Sequence, residues 1–184
     1  MGGRDKGLLE VGQRPLVARV IDRVRPQVGD LLISANRHLE RYRALGFPVV
    51  EDRVGAFLGP LAGLAAALQA VRTPFLLSVP CDSPCLPLDL ASRLLQALNA
   101  ADAEVAAAHD GERTHPVFAL LRRDLRPDLL DYIEHGGRGL GAWYRQRRLA
   151  LADFSDRPEA FLNLNTPQDW AAWQGGLRPD SGCR

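Results

Sequence analysis

The strongest constraint on the fold is a repeated alternation. Short, almost unbroken apolar runs each lead into polar residues, and a stretch of helical period follows. Leu31-Leu32-Ile33 runs into Ser34-Ala35-Asn36, Val49-Val50 into Glu51-Asp52, and Phe75-Leu76-Leu77-Ser78-Val79 into Pro80-Cys81-Asp82. Around these runs the pattern predicts a helix from Pro15, whose apolar stripe is Leu16, Val17, Val20, Ile21 and Val24. It also predicts a short polar helix over 37–45 closed by Gly46, an alanine- and leucine-rich helix from Pro60 to about Val71, and another over 88–98. Strands apolar on both faces and separated by helices specify an α/β fold, a three-layer, mostly parallel sheet flanked by helices. Ligands of such sheets sit beyond the carboxyl ends of the strands. Ser34, Asn36, Asp52 and Asp82 all fall there.

The second half changes character and reads as a smaller, mixed-strand part. Strands are expected over 104–108 and 117–121, joined by a loop from His109 to His115 with Asp110-Gly111 as its turn. A helix over 125–134 ends at Gly136-Gly137, and a further one carries Leu140, Trp143 and Tyr144. An edge strand over 149–152 and a last strand over 161–165 precede a helix capped by Thr166 with Pro167 at its first position. The 184 residues make one domain of ordinary size. We read it as a single domain over 1–174, with a nucleotide-binding half over 1–100, an acceptor-binding half over 101–174 and a disordered tail over 175–184.

Charge narrows the partners. The net charge of +1 offers no electrostatic case for a nucleic-acid or membrane partner. No apolar run approaches the ~20 residues that span a bilayer, and residues 1–10 hold no apolar segment of signal-peptide length, so the reading is cytoplasmic. Cys81, Cys85 and Cys183 are too few and odd in number for a disulfide framework, and no second cluster completes a zinc site. They read as reduced thiols.

Among the 23 basic residues Lys6 is the only lysine. It lies between Gly3 and Gly7, where glycines let backbone amides approach a phosphate and a compact ammonium can neutralise its charge. The alternative is a solvated amino terminus. Asp82 leaves a buried strand at the site end of the sheet, where one carboxylate plus substrate phosphates can hold Mg²⁺; a turn or capping aspartate is the other reading. Asp52 suits a ribose hydroxyl or a turn. Gly59-Pro60-Leu61-Ala62-Gly63 leads into a helix amino terminus. Asn163 and Asn165 alternate on one strand and share a face, either for a heterocycle or phosphate or for neighbouring backbone. His115, before Pro116, reads as a structural histidine, since no serine or cysteine partner completes a triad.

Taken together, these segments resemble the molybdenum cofactor guanylyltransferases, the MobA family. The matching stretches are Met1-Gly2-Gly3-Arg4-Asp5-Lys6-Gly7-Leu8-Leu9, Ser34-Ala35-Asn36-Arg37-His38, Val50-Glu51-Asp52, Gly59-Pro60-Leu61-Ala62-Gly63 and Pro80-Cys81-Asp82-Ser83-Pro84, then His109-Asp110-Gly111-Glu112-Arg113 with His115-Pro116, Asp153-Phe154-Ser155-Asp156, and Phe161-Leu162-Asn163-Leu164-Asn165-Thr166-Pro167. The resemblance implies a Rossmann-like nucleotidyltransferase fold and transfer of GMP from GTP, with Mg²⁺ as cofactor, to the phosphate of molybdenum-molybdopterin, releasing pyrophosphate. It implies that Asp82 holds Mg²⁺, that Lys6 contacts the triphosphate, that Ser34 and Asp52 hold the nucleoside, and that Gly3, Asn163 and Asn165 face the pterin. It also implies a monomer that meets molybdopterin-handling proteins and molybdoenzymes. Members begin with an apolar strand and a Leu-Ala-Gly-Gly-x-x-x-Arg-Met-Gly loop; Met1-Gly2 coincides with that loop's end, so the first strand, two loop glycines and an arginine are expected to be missing here. Ser34 stands where members often carry asparagine. A cytidylyltransferase on the same pterin and a non-catalytic molybdopterin- or partner-binding module stay open as alternatives.

Overall fold

The structure, a computed structural model, describes residues 5–52 and 59–161. Its strands are β1 (Glu10–Val11), β2 (Arg14–Pro15), β3 (Ile33–Ser34), β4 (Val49–Val50), β5 (Phe75–Ser78), β6 (Val105–His109), β7 (Thr114–Arg122) and β8 (Leu149–Asp153). Its helices are α1 (Leu16–Val24), α2 (Leu39–Arg43), α3 (Pro60–Ala70), α4 (Leu90–Ala100), α5 (Arg126–Glu134) and α6 (Leu140–Tyr144).

Three layers follow from the two-residue alternation of a strand. Leu76 of β5, Val105 and Ala107 of β6, and Ala119 and Leu121 of β7 face one core with α3, α5 and α6. Leu77, Ala106, Ala108, Phe118 and Leu120 face the other, under Leu90, Leu94 and Leu98 of α4. The alanines of β6 are almost wholly buried, and their small side chains let helices approach the sheet from both faces. A third cluster joins Leu8, Val17, Ile21, Ile33 and Tyr42.

The expected α/β architecture is present, with one topological refinement. β3 and β4 pair in parallel, as do β6 and β8, but β7 runs antiparallel to both β5 and β6 in a sheet of order β5-β7-β6-β8. It follows that β5, β6 and β8 share one direction. Their carboxyl ends and the amino end of β7 lie along one edge of the sheet. β5 comes from the first half of the chain and β7 from the second, so the two halves share a sheet. Among the described residues no ladder joins β3–β4 to the four-stranded sheet. Instead α3 lies against β3, β4 and β5 alike.

Several local expectations are corrected. Pro15 precedes α1 rather than opening it, and it ends a hairpin, β1–β2, whose turn residues Gly12 and Gln13 both have positive φ (56° and 64°). A type I′ turn needs that conformation at both positions. The sequence signal was present in glycine alone. Phe161 closes a short 3-10 turn (Pro158–Phe161) rather than starting a strand. The remainder of the expected strand and the final helix lie outside the described residues. Cys81 has a free thiol, as expected, whereas Cys85 is disulfide-bonded.

Candidate active site

Asp82 follows β5 through Val79-Pro80-Cys81, which carries its carboxylate past the carboxyl end of the strand. The Lys6 ammonium stands 3.7 Å from the Asp82 carboxylate; the side chains are 38% and 13% exposed. That separation exceeds a direct hydrogen bond, so the two are neighbouring opposite charges. Lys6 gets there because its neighbours are anchored. Leu8 is buried in the third core cluster. At Gly7 a Cβ would lie 2.7 Å from the Tyr42 hydroxyl oxygen and 3.0 Å from Cys81 Sγ, so no side chain fits. The Tyr42 hydroxyl donates to Asp5 Oδ1 at 2.7 Å. Cys81 is exposed as a residue, but its sulfur is turned against Gly7. Burial of the thiol, then the Asp82 and Asp5 carboxylates, push it up to about 11. It is therefore protonated at neutral pH and a poor nucleophile.

A second cluster stands at the ends of β3 and β4. The Asn36 amide donates to Asp52 Oδ2 at 2.6 Å, and the Asp52 backbone N–H donates to Asn36 Oδ1 at 3.0 Å. This reciprocal pair fixes the orientation of the Asp52 carboxylate. Ser34 stands beside them, with its hydroxyl packed against α3: a Cβ on Gly63 would lie 2.8 Å from Ser34 Oγ. Gly59, at φ +54°, turns the chain into α3 ahead of Pro60.

The third cluster, at the same sheet edge, was not legible as a unit. His115 opens β7 and Asp110 follows β6; His115 Nε2 and Asp110 Oδ2 are 2.6 Å apart, and both side chains are about nine-tenths buried. The β6–β7 register slips between Ala107 and Ala108, so that Ala108 faces His115. Such a bulge re-aims side chains. His115 stacks on Phe161 at 4.7 Å between centroids. Next to it Arg93 lies 4.2 Å over the Phe154 ring and pairs with Asp156 at 2.9 Å, which holds that carboxyl at about 2.

Backbone N–H donation from Arg113, and then His115 and Glu112, hold Asp110 well below the usual carboxylate range. A carboxylate depressed in this way contributes stability above its unfolded value of about 3.9, and that stability is lost as pH falls through the folded value. Asp110→Asn should therefore give a shallower fall of melting temperature below about pH 4 than wild type shows. Thermal melts from neutral pH downward read this, and an unchanged acid slope would remove Asp110 from the loop's electrostatics.

The structure thus brings Lys6 to Asp82 and Asn36 to Asp52, and sets Ser34 against Gly63. Gly3, Asn163 and Asn165 lie outside the described residues. Among those described, no group of three His, Cys, Asp or Glu side chains converges as a metal cage. A single carboxylate at a charged, open edge fits an Mg²⁺ ion shared with substrate phosphates. A groove of about 820 Å³ lined by Phe75, Arg122, Arg123 and Arg126 lies at the opposite end of β5 and β7 and has no part in this arrangement.

Comparison with known proteins places the chain in a family and a fold. The family model of the MobA-like NTP transferase domain matches residues 1–151. The molybdenum cofactor guanylyltransferase of Shewanella loihica is 45% identical over 91% of this chain and 86% of its own length. That of Shewanella sp. (strain MR-4) is 48% identical over 91% and 85%. Among solved structures, molybdopterin-guanine dinucleotide biosynthesis protein A from Archaeoglobus fulgidus superposes with a TM-score of 0.73 at 17% identity, covering 94% of this chain and 90% of that one. A 2-C-methyl-D-erythritol 4-phosphate cytidylyltransferase from Thermus thermophilus gives 0.71 at 20% identity, with 92% of each chain covered. At those identities the structural matches speak for the fold.

Proposed function

This chain belongs to the MobA-like NTP transferase family, and we infer from that premise that it is a molybdenum cofactor guanylyltransferase. It transfers GMP from GTP to the phosphate of molybdenum-molybdopterin, releasing pyrophosphate and forming the guanine dinucleotide cofactor. Relatives so named and 45–48% identical over 91% of the chain support the reading. The observation that carries its chemistry is the Lys6–Asp82 pair at the carboxyl edge of the sheet.

In the reaction a phosphate oxygen of the pterin bonds to the α-phosphorus of GTP while the bond from that phosphorus to the bridging oxygen breaks. The electron pair leaves with pyrophosphate. Catalysis of such a transfer is chiefly positioning and charge neutralisation. Lys6 neutralises the triphosphate as negative charge builds on the leaving group. Asp82 would hold Mg²⁺, which would supply charge neutralisation for the phosphates. Asp52, fixed by Asn36, accepts from a ribose hydroxyl, and Ser34 meets the base end of the nucleoside. Gly3, Asn163 and Asn165 serve the pterin. We place the reaction in the cytoplasm with a monomeric enzyme. No helix among the described residues is long and apolar enough to cross a membrane.

The test is nucleotide transfer to molybdopterin with Mg²⁺, with GTP and CTP offered in parallel. The guanine dinucleotide should form from GTP. Product from CTP alone would overturn the base assignment, and no product from either would overturn the function.

A further inference from the structure

We propose that Tyr42 is a positioning residue for this transfer: by holding the Asp5 carboxylate, its hydroxyl sets Lys6 in place beside Asp82. The inference rests on the guanylyltransferase reading and assigns a role to a residue of α2, well removed in sequence from Lys6.

An aspartate just before a helical turn ordinarily caps it. Asp5 occupies that place before the 3-10 turn Lys6–Leu8, yet its side chain makes no capping bond. It accepts instead from the Tyr42 hydroxyl at 2.7 Å, across 37 positions of sequence. Tyr42 is itself firmly seated. It is 4% exposed and packs with Leu8, Val17, Ile21 and Ile33. Burial, reinforced by the bond to Asp5, raises its phenol above the ordinary value, so it remains a donor.

The same hydroxyl also bears on the other neighbour of Lys6, since a Cβ on Gly7 would lie 2.7 Å from it. One oxygen atom therefore meets the residues on both sides of Lys6, bonding the Asp5 side chain and closing the space a side chain at position 7 would need. The lysine side chain is left to reach Asp82. The bond has an electrostatic consequence as well. Asp5 adjoins Lys6, and a carboxylate released there would compete with a triphosphate for the ammonium. The bond from Tyr42 to Oδ1 fixes where that carboxylate stands.

Three proteins test this: wild type, Tyr42→Phe, which keeps the ring and removes the hydroxyl, and Asp5→Asn, which keeps an oxygen acceptor for Tyr42 and removes the charge. Steady-state transfer is measured with Mg-GTP and molybdopterin varied in turn, alongside thermal melts. Tyr42→Phe should lower kcat/KM for GTP about tenfold, leave KM for molybdopterin unchanged and melt close to wild type. Asp5→Asn should stay within about twofold of wild type, since its bond to Tyr42 survives. A Tyr42→Phe protein with wild-type GTP kinetics would overturn the inference, as would a loss shared equally by both substrates or an Asp5→Asn defect as large as that of Tyr42→Phe. A wild-type chain that makes no guanine dinucleotide would instead sink the guanylyltransferase reading, and this inference with it.

Discussion

Replacing Asp82 by Asn should lower guanylyl transfer by about 10³-fold while the fold stays in place. The substitution is nearly isosteric, and the side chain is only 13% exposed at the sheet edge, so packing around it changes little. What changes is charge. A neutral amide is a poor ligand for a hard dication that keeps few protein ligands of its own. It also removes the negative partner that faces Lys6. Among the described residues no group of three His, Cys, Asp or Glu side chains offers an alternative cage. Single-turnover transfer at saturating Mg-GTP and molybdopterin reads the chemical step, and a thermal melt reads the fold. A rate within about fivefold of wild type, far short of the loss expected when a transition-state charge contact goes, would sink the metal assignment.

Lys6→Ala should cost about 10²-fold in kcat/KM for GTP, the range expected when a charge contact to the transition state is lost. Lys6→Arg should recover little of it. The ammonium is a compact charge on a flexible stem, whereas guanidinium is a rigid planar fork. The backbone here cannot shift to accommodate the fork, because Gly7 is wedged against Tyr42 and Cys81 and Leu8 is buried. Asp82, 3.7 Å away, would also attract the fork into a paired arrangement that a triphosphate must break. Initial rates at subsaturating GTP for the three proteins suffice. Wild-type kinetics with arginine at position 6 would show that only charge, and not its shape, is needed there.

Much of this site could be read in the chain before the fold was known, and the reasons are specific. Asp82 and Asp52 were legible because each ends a run of consecutive apolar residues, and the parallel pairing of β3 with β4 is what such runs require. Lys6 stood out as the one lysine in an arginine-rich chain. Its partner in space was foreshadowed only because both residues were expected at the same end of the sheet. The orientation of β7 was not legible, since Val117 to Leu121 is apolar whichever way the strand runs. Nor were the Asp5–Tyr42 and Asp110–His115 bonds. The first joins residues 37 positions apart, and Tyr42 is set in a helix whose other residues are mostly charged. The second depends on a register slip in the β6–β7 ladder, for which alternation carries no signal. His115 read as a lone histidine because its partner was counted as part of a turn.

Asn36 and Asp52 stand at the ends of β3 and β4 and Asp82 past the end of β5, and α3 lies against all three strands. A ladder of hydrogen bonds resists sliding stiffly, whereas packed helices and sheets accommodate small shear displacements. The spacing between Asp52 and Asp82 therefore runs through a compliant joint, where Leu61, Ala62, Leu64 and Ala65 of α3 are buried. Enlarging one of those alanines should change the Asp52–Asp82 separation without touching either carboxylate.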